Sequence, residues 1–298
     1  MSTHLSVPLS GHAGSYAYLS TDPGSETAVI FVHGFWGDAW STWEDFQGLV
    51  DEEVRWHGMW AKTDLYFFEY RGASNFVMKS AQDLSEFLLK IYPEPESRFF
   101  VVSSPRSFVP KDYLASARGT ATRYRRLVLV GHSLGAVVLR QAVTRQLKAV
   151  RNRQLPLDSV PAWVRDGELR LFAPAHRGFR PSNWKAMMLK APILRSCLAI
   201  APVYWRAYPD LQPDSALIED LQRDTKELLL IFPTVRGLRA TSLFGANEDV
   251  VEPLEYEGDL GLAFEDGRGH GDICKPDVDF SRPFRFVEYG LDPRVARV

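Results

Sequence analysis

Arg126-Leu127-Val128-Leu129-Val130-Gly131-His132-Ser133-Leu134-Gly135 is the stretch from which the fold can be read. Leu127 to Val130 form an unbroken apolar run with two β-branched valines. A half-exposed strand would alternate, so this run predicts a strand over 126–131 buried on both faces of a parallel sheet. Beyond Gly135 the apolar residues Val137, Val138, Ala142 and Val143 recur at helical spacing. They predict a helix from Leu134 to about Val150. Between the two elements lies Gly-x-Ser-x-Gly. A serine there occupies a sharp turn with strained backbone, and the flanking glycines let strand and helix crowd together. Its oxygen then projects above the sheet edge, over the amides that open the helix. The strand-to-helix context, more than the five letters, distinguishes this from a glycine-flanked turn with an incidental serine.

The same pattern extends in both directions. Upstream, Thr27 to His33 (TAVIFVH) and Asp64 to Tyr70 (DLYFFEY) read as strands. A helix over Ser80 to Ile91 places Leu84, Phe87, Leu88 and Ile91 on one stripe, and Pro93 and Pro95 end it. Downstream, Leu169 to Ala173 and Arg239 to Phe244 read as further strands. Alternating strands and helices imply an α/β fold, a mainly parallel sheet covered on both faces, whose ligands sit at the carboxyl edge. The whole chain, 1–298, is expected to form one such domain. Residues 93–123 are too long for a plain connection and are expected to be a surface insertion.

Composition narrows the function. The 298 residues carry 35 Lys+Arg against 37 Asp+Glu, a net charge of −2, so no electrostatic case for a nucleic-acid partner arises. Two cysteines, Cys197 and Cys274, make no disulfide scaffold, which suits a reducing compartment. The first residues lack a basic start followed by an apolar run, and stretches such as CLAIAPVYW are about half the length that spans a bilayer. A soluble, cytoplasmic protein is expected. No HExxH, paired CxxC or phosphate-binding glycine loop is present, so neither metal nor organic cofactor is expected.

Ser133 needs a base, and the base an orienting acid. Of the seven histidines, His4 and His12 lie in the N-terminal segment, and His57 has no strand end beside it. His33 belongs to the loop His33-Gly34-Phe35-Trp36-Gly37, and His132 adjoins Ser133 with its side chain directed away from the serine oxygen. His176 follows the fourth of the predicted strands. His270, bracketed by Gly269 and Gly271, alone follows both Ser133 and a credible acid in the order serine, acid, histidine. The acid is expected just after the strand that ends at Gly245. Asp249, followed by Val250-Val251, is preferred there, with Glu248 as the near alternative. Backbone N–H groups of Phe35 and Leu134 are the expected oxyanion donors, each worth about 3 kcal/mol of barrier.

At this point HGFWGD, GHSLG, GANEDVV and GHGDICKP resemble, in order and spacing, the motifs of the α/β-hydrolase superfamily, across roughly residues 27–275. More narrowly the chain resembles its lipase-like branch, which includes serine-active-site-containing and inositol-deacylase-like proteins. Ile273-Cys274-Lys275 agrees with that branch; Ala175 interrupts its Pro-His-x-Gly turn. The resemblance implies Ser133 as nucleophile, Asp249 as acid, His270 as base, the Phe35 and Leu134 amides as oxyanion hole, and a cap after the sixth strand.

Residues 177–213 fit that cap. They are short and apolar, with basic residues interleaved, and are expected to line an acyl pocket and to offer a peripheral membrane contact. Trp36, His132, His176, Trp184 and Met188 are the residues expected to meet substrate. The reading that results is a serine esterase of lipase type acting on an apolar acyl ester. Its alternatives are a thioesterase, amidase or peptidase on the same residues, or a non-catalytic module that binds lipid or protein.

Overall fold

Strand β3 (Thr27–Val32) is buried at every position, as is β4 (Thr63–Phe68); β5 (Arg126–His132) is buried from its second residue onward. These are the apolar runs of the sequence, and they form the centre of the sheet. The computed structural model describes residues 4–22, 24–56, 58–100, 123–179 and 206–291. The sheet is completed by β1 (His4–Pro8), β2 (Tyr16–Ser20), β6 (Glu168–Phe172), β7 (Ala240–Gly245) and β8 (Gly261–Glu265). The order is β1-β2-β4-β3-β5-β6-β7-β8. β1 and β2 pair antiparallel with each other, and β2 with β4; every other pairing is parallel. The mainly parallel α/β fold expected from the sequence is what the chain adopts.

Helices cover both faces. On one, α1 (Glu44–Trp56) meets α7 (Arg282–Tyr289) through Phe46 and Phe284, whose ring centroids are 4.6 Å apart, and Phe31 of β3 packs beneath them. On the other face, α2 (Val77–Leu89) lies against α3 (Leu134–Asn152), and α3 against α6 (Ala216–Ile231). The short helices α4 (Ala162–Asp166) and α5 (Ala207–Asp210) complete the described set. Ser215 caps α6 by accepting the Ile218 N–H at 3.3 Å.

A buried ion pair locks α3 to the β7–β8 connection. Arg140 donates to Asp259 at 2.5 Å, both side chains are 2% exposed, and the guanidinium lies 3.9 Å from the centre of the Tyr256 ring. Asp259 also accepts the Ala240 N–H at the start of β7. The start of β7 is thereby held to α3, the helix that follows Ser133.

The expected insertion and cap fall largely outside the described residues, at 101–122 and 180–205. No helix among the described residues is long and apolar enough to cross a membrane.

Candidate active site

Ser133 stands between β5 and α3 with φ 54° and ψ −117°, in the left-handed half of backbone space that non-glycine residues avoid. Its neighbours explain how this is tolerated. A methyl group at Gly131 would lie 2.9 Å from the Cα of Ala136, and one at Gly135 would strike the carbonyl oxygens of Val32 and His33. Both positions therefore need glycine, because α3 is pressed onto β5 on one side and the end of β3 on the other. The Ser133 N–H donates to the Phe172 carbonyl of β6 at 3.0 Å, pinning the turn from below.

His270 reaches Ser133 from the segment after β8. Its Nε2 is 3.0 Å from the serine Oγ. Its Nδ1 is 3.0 Å from both Oε1 and Oε2 of Glu248. The carboxylate that meets the imidazole is thus Glu248, and Asp249, the expected acid, is exposed on the far side of the turn. The turn itself causes this correction. The Glu248 N–H bonds back to the Gly245 carbonyl at 3.1 Å, which turns residue 248 inward and residue 249 outward. The Val250 and Val251 amides then donate to Glu248 Oε1 at 2.8 and 3.0 Å. Burial alone would raise the Glu248 pKa. The hydrogen bond and charge of His270, together with the two amides, overcome it and hold the carboxyl below its ordinary range.

The loops that carry Glu248 and His270 are joined by main chain. Ala246 N–H donates to Glu265 O at 2.7 Å and Asn247 N–H to Arg268 O at 3.0 Å, continuing the β7–β8 ladder past its end. A Cβ at Gly245 would collide with the Arg268 carbonyl, so glycine permits this approach.

His132 has a part that the sequence did not reveal. It is buried, and its Nε2 lies 2.8 Å from the main-chain oxygen of His270. A carbonyl only accepts, so His132 is the Nε2–H tautomer. Burial, followed by the neighbouring His270, pushes its pKa down to about 3 and keeps it neutral. The side chain lines the cavity beside Ser133.

That cavity, of about 260 Å³, is bounded by Phe35, Trp36, Phe179, Ser133, His270 and Lys275, among others. Trp36, expected to meet substrate, lines this cavity. His176 is not among the lining residues: it is buried against Tyr256, ring centroids 4.8 Å apart, with Nε2 3.1 Å from Leu254 O. Trp184 and Met188 lie outside the described residues. A Cβ at Gly34 would lie 3.1 Å from the Ser133 Cβ, so the loop that carries Phe35 runs directly against the serine. Leu134 occupies the first position of α3, where an amide has no partner within its own helix. Cys274, in contrast, is fully buried, and burial pushes its thiol up to about 12, so it is no nucleophile.

A family model, the alpha/beta hydrolase family, matches residues 29–288. The chain belongs to this family. No curated protein sequence matches it significantly. Among solved structures it is similar to MGS-MChE2, an alpha/beta hydrolase from a sediment metagenome of the Mar Chica lagoon in Morocco, at 14% identity and a TM-score of 0.48, covering 94% of each chain. It is similar to a monoacylglycerol lipase of Paleococcus ferrophilus at 13% identity and a TM-score of 0.45, covering 88% of this chain and 93% of that one. An esterase of M. tuberculosis matches at 13% identity and a TM-score of 0.43, over 97% and 91% of the two chains.

Proposed function

We propose that this alpha/beta hydrolase is a serine hydrolase that cleaves a carboxylic ester with an apolar acyl group, through an acyl-serine. The observation that carries the reading is the unbroken chain of hydrogen bonds from Ser133 Oγ through His270 to Glu248, opening into a cavity with aromatic walls. His270 Nε2 takes the hydroxyl proton as Oγ bonds to the ester carbon. The carbonyl oxygen becomes negative and is received by the amides of Phe35 and Leu134. The tetrahedral species then loses the alcohol, which takes the proton from Nε2. Water, deprotonated by the same nitrogen, attacks the acyl-serine and releases the acid. Glu248 fixes the imidazole tautomer and stabilises its charged form. Phe35, Trp36 and Phe179 supply apolar surface for a short acyl chain or the first carbons of a longer one.

The test is labelling with a fluorophosphonate, with mass spectrometry of the modified peptide. The native chain is expected to label at Ser133 and the S133A variant not at all; equal labelling of both would overturn the reading. A panel of short and long acyl esters, thioesters and amides then ranks the bond cleaved.

A further inference from the structure

A second cavity, of about 430 Å³, opens at the opposite edge of the sheet, where β6 and β7 begin. About 15 Å of strand separates it from the serine turn. Its walls carry three arginines, Arg170, Arg236 and Arg239, against one carboxylate, Glu168. That carboxylate is already shared. Arg170 donates to it at 2.7 Å and Arg126 at 3.1 Å, and Arg236 lies 3.7 Å away. Arg239 spends one N–H on the Gly258 carbonyl at 3.3 Å. Three guanidinium groups, those of Arg126, Arg170 and Arg236, therefore share one negative charge, and Arg239 lines the same cavity.

Arg170 carries the argument further. It is 8% exposed, it donates to Glu168 and to the Leu169 carbonyl, and its Nε–H has no acceptor among the described residues. Buried donors of this kind are normally satisfied, and an unmet N–H on a buried cation is costly. Arginine's planar fork matches the two oxygens of a carboxylate or phosphate. Apart from Thr234 the rest of the cavity is apolar: Pro233, Val235 and Leu260 line it, and Leu260 is 64% exposed for want of cover.

The geometry points to a binding site for a small organic oxyanion, a phosphate or carboxylate on an apolar body, held by Arg170, Arg236 and Arg239 and separate from the Ser133 cavity. The arginines take the oxyanion, and Leu260, Val235 and Pro233 cover its apolar part.

Isothermal titration calorimetry on the full chain tests this, with S133A as the background so that the serine centre does no chemistry on the probes. The probes are phenyl phosphate, hexanoate and inorganic phosphate. One saturable site is expected for phenyl phosphate or hexanoate, and which of them binds identifies the head group. Inorganic phosphate should bind at least tenfold more weakly, because it leaves Leu260 uncovered. The double variant R236Q/R239Q, altered at the cavity mouth, should weaken binding at least tenfold with its melting temperature unchanged. If that pair unfolds the protein, R236Q alone, at an exposed side chain, should still weaken binding severalfold. Absence of saturable heat for both organic probes would overturn the inference, as would an affinity indifferent to the arginine variants. Fluorophosphonate labelling of the native chain is independent of either result.

Discussion

The imidazole of His132 donates a hydrogen bond, 2.8 Å long, to the main-chain oxygen of His270. The residue before the proposed nucleophile thus holds the residue proposed as its base, 138 positions further along the chain. The two rings are 5.0 Å apart, and His132 remains neutral because burial disfavours its cation.

His132 is accordingly expected to act as a positioning residue. H132F keeps the bulk and loses the donor, so the His270 loop is no longer anchored to the serine turn. kcat on a p-nitrophenyl ester is expected to fall about 10- to 100-fold with KM little changed, since a displacement of about 1 Å costs that much. H132Q, which can still donate, should recover part of the loss. A fall in KM affinity alone, with kcat intact, would assign His132 to substrate binding instead.

Exchanging the two adjacent acids separates their parts. E248Q leaves the shape but removes the charge that fixes the His270 tautomer, and kcat should fall about 10³- to 10⁴-fold. D249N alters an exposed carboxylate and should leave kcat within about twofold of the native value. Steady-state kinetics on the two purified variants decides, and the reverse order of effects would restore Asp249.

Stability should rise with pH across the histidine range. Burial brings the His132 and His176 pKa values down to about 3 each, from the ordinary 6.5, and lowers those of His4 and His12. Between about 3 and 6.5 the unfolded chain therefore binds protons that the folded one refuses. The contribution is complete above about 6.5 and is lost as pH falls toward 3, at most about 1.4 kcal/mol per pH unit for each histidine. The urea midpoint should fall between pH 7 and 5.5, and H176Q should flatten that fall. A midpoint constant over this interval would show that the buried rings do not resist protonation.

Removing one member of the Arg140–Asp259 pair strands a buried charge. D259N should cost about 3–5 kcal/mol, and the pairwise apolar exchange R140M/D259L should recover most of it. Urea unfolding of the three proteins measures the difference. A cost below about 1 kcal/mol for D259N would mean that the guanidinium finds water.

Burial on both faces decides which elements could be read from the letters. β3, β4 and β5 are covered above and below, so each carries an unbroken apolar run of at least four residues, and the run declares itself. β1 and β8 are edge strands. His4 is buried by bonding the Thr63 carbonyl, and β8 is half exposed along its length, so neither shows an apolar run or a clean alternation. The serine and the histidine were legible because a strained turn demands glycines and because the order of the motifs left one histidine. The acid was displaced by one position. Val250 and Val251 do mark a buried carboxylate, but they mark it through their amides, which reach back to Glu248, and side-chain hydrophobicity carries no record of a main-chain bond.

The zipping of the Glu248 and His270 loops divides the proposed machinery along the chain. Ser133, His132 and Phe35 all precede residue 180, whereas Glu248 and His270 both follow residue 205, on loops that are joined to one another by backbone. A polypeptide cut between those points leaves an oxygen without a proton acceptor in one fragment and a prealigned acid–base couple without an oxygen in the other. Turnover would then report the meeting of the two fragments, which makes this architecture a natural substrate for complementation sensors.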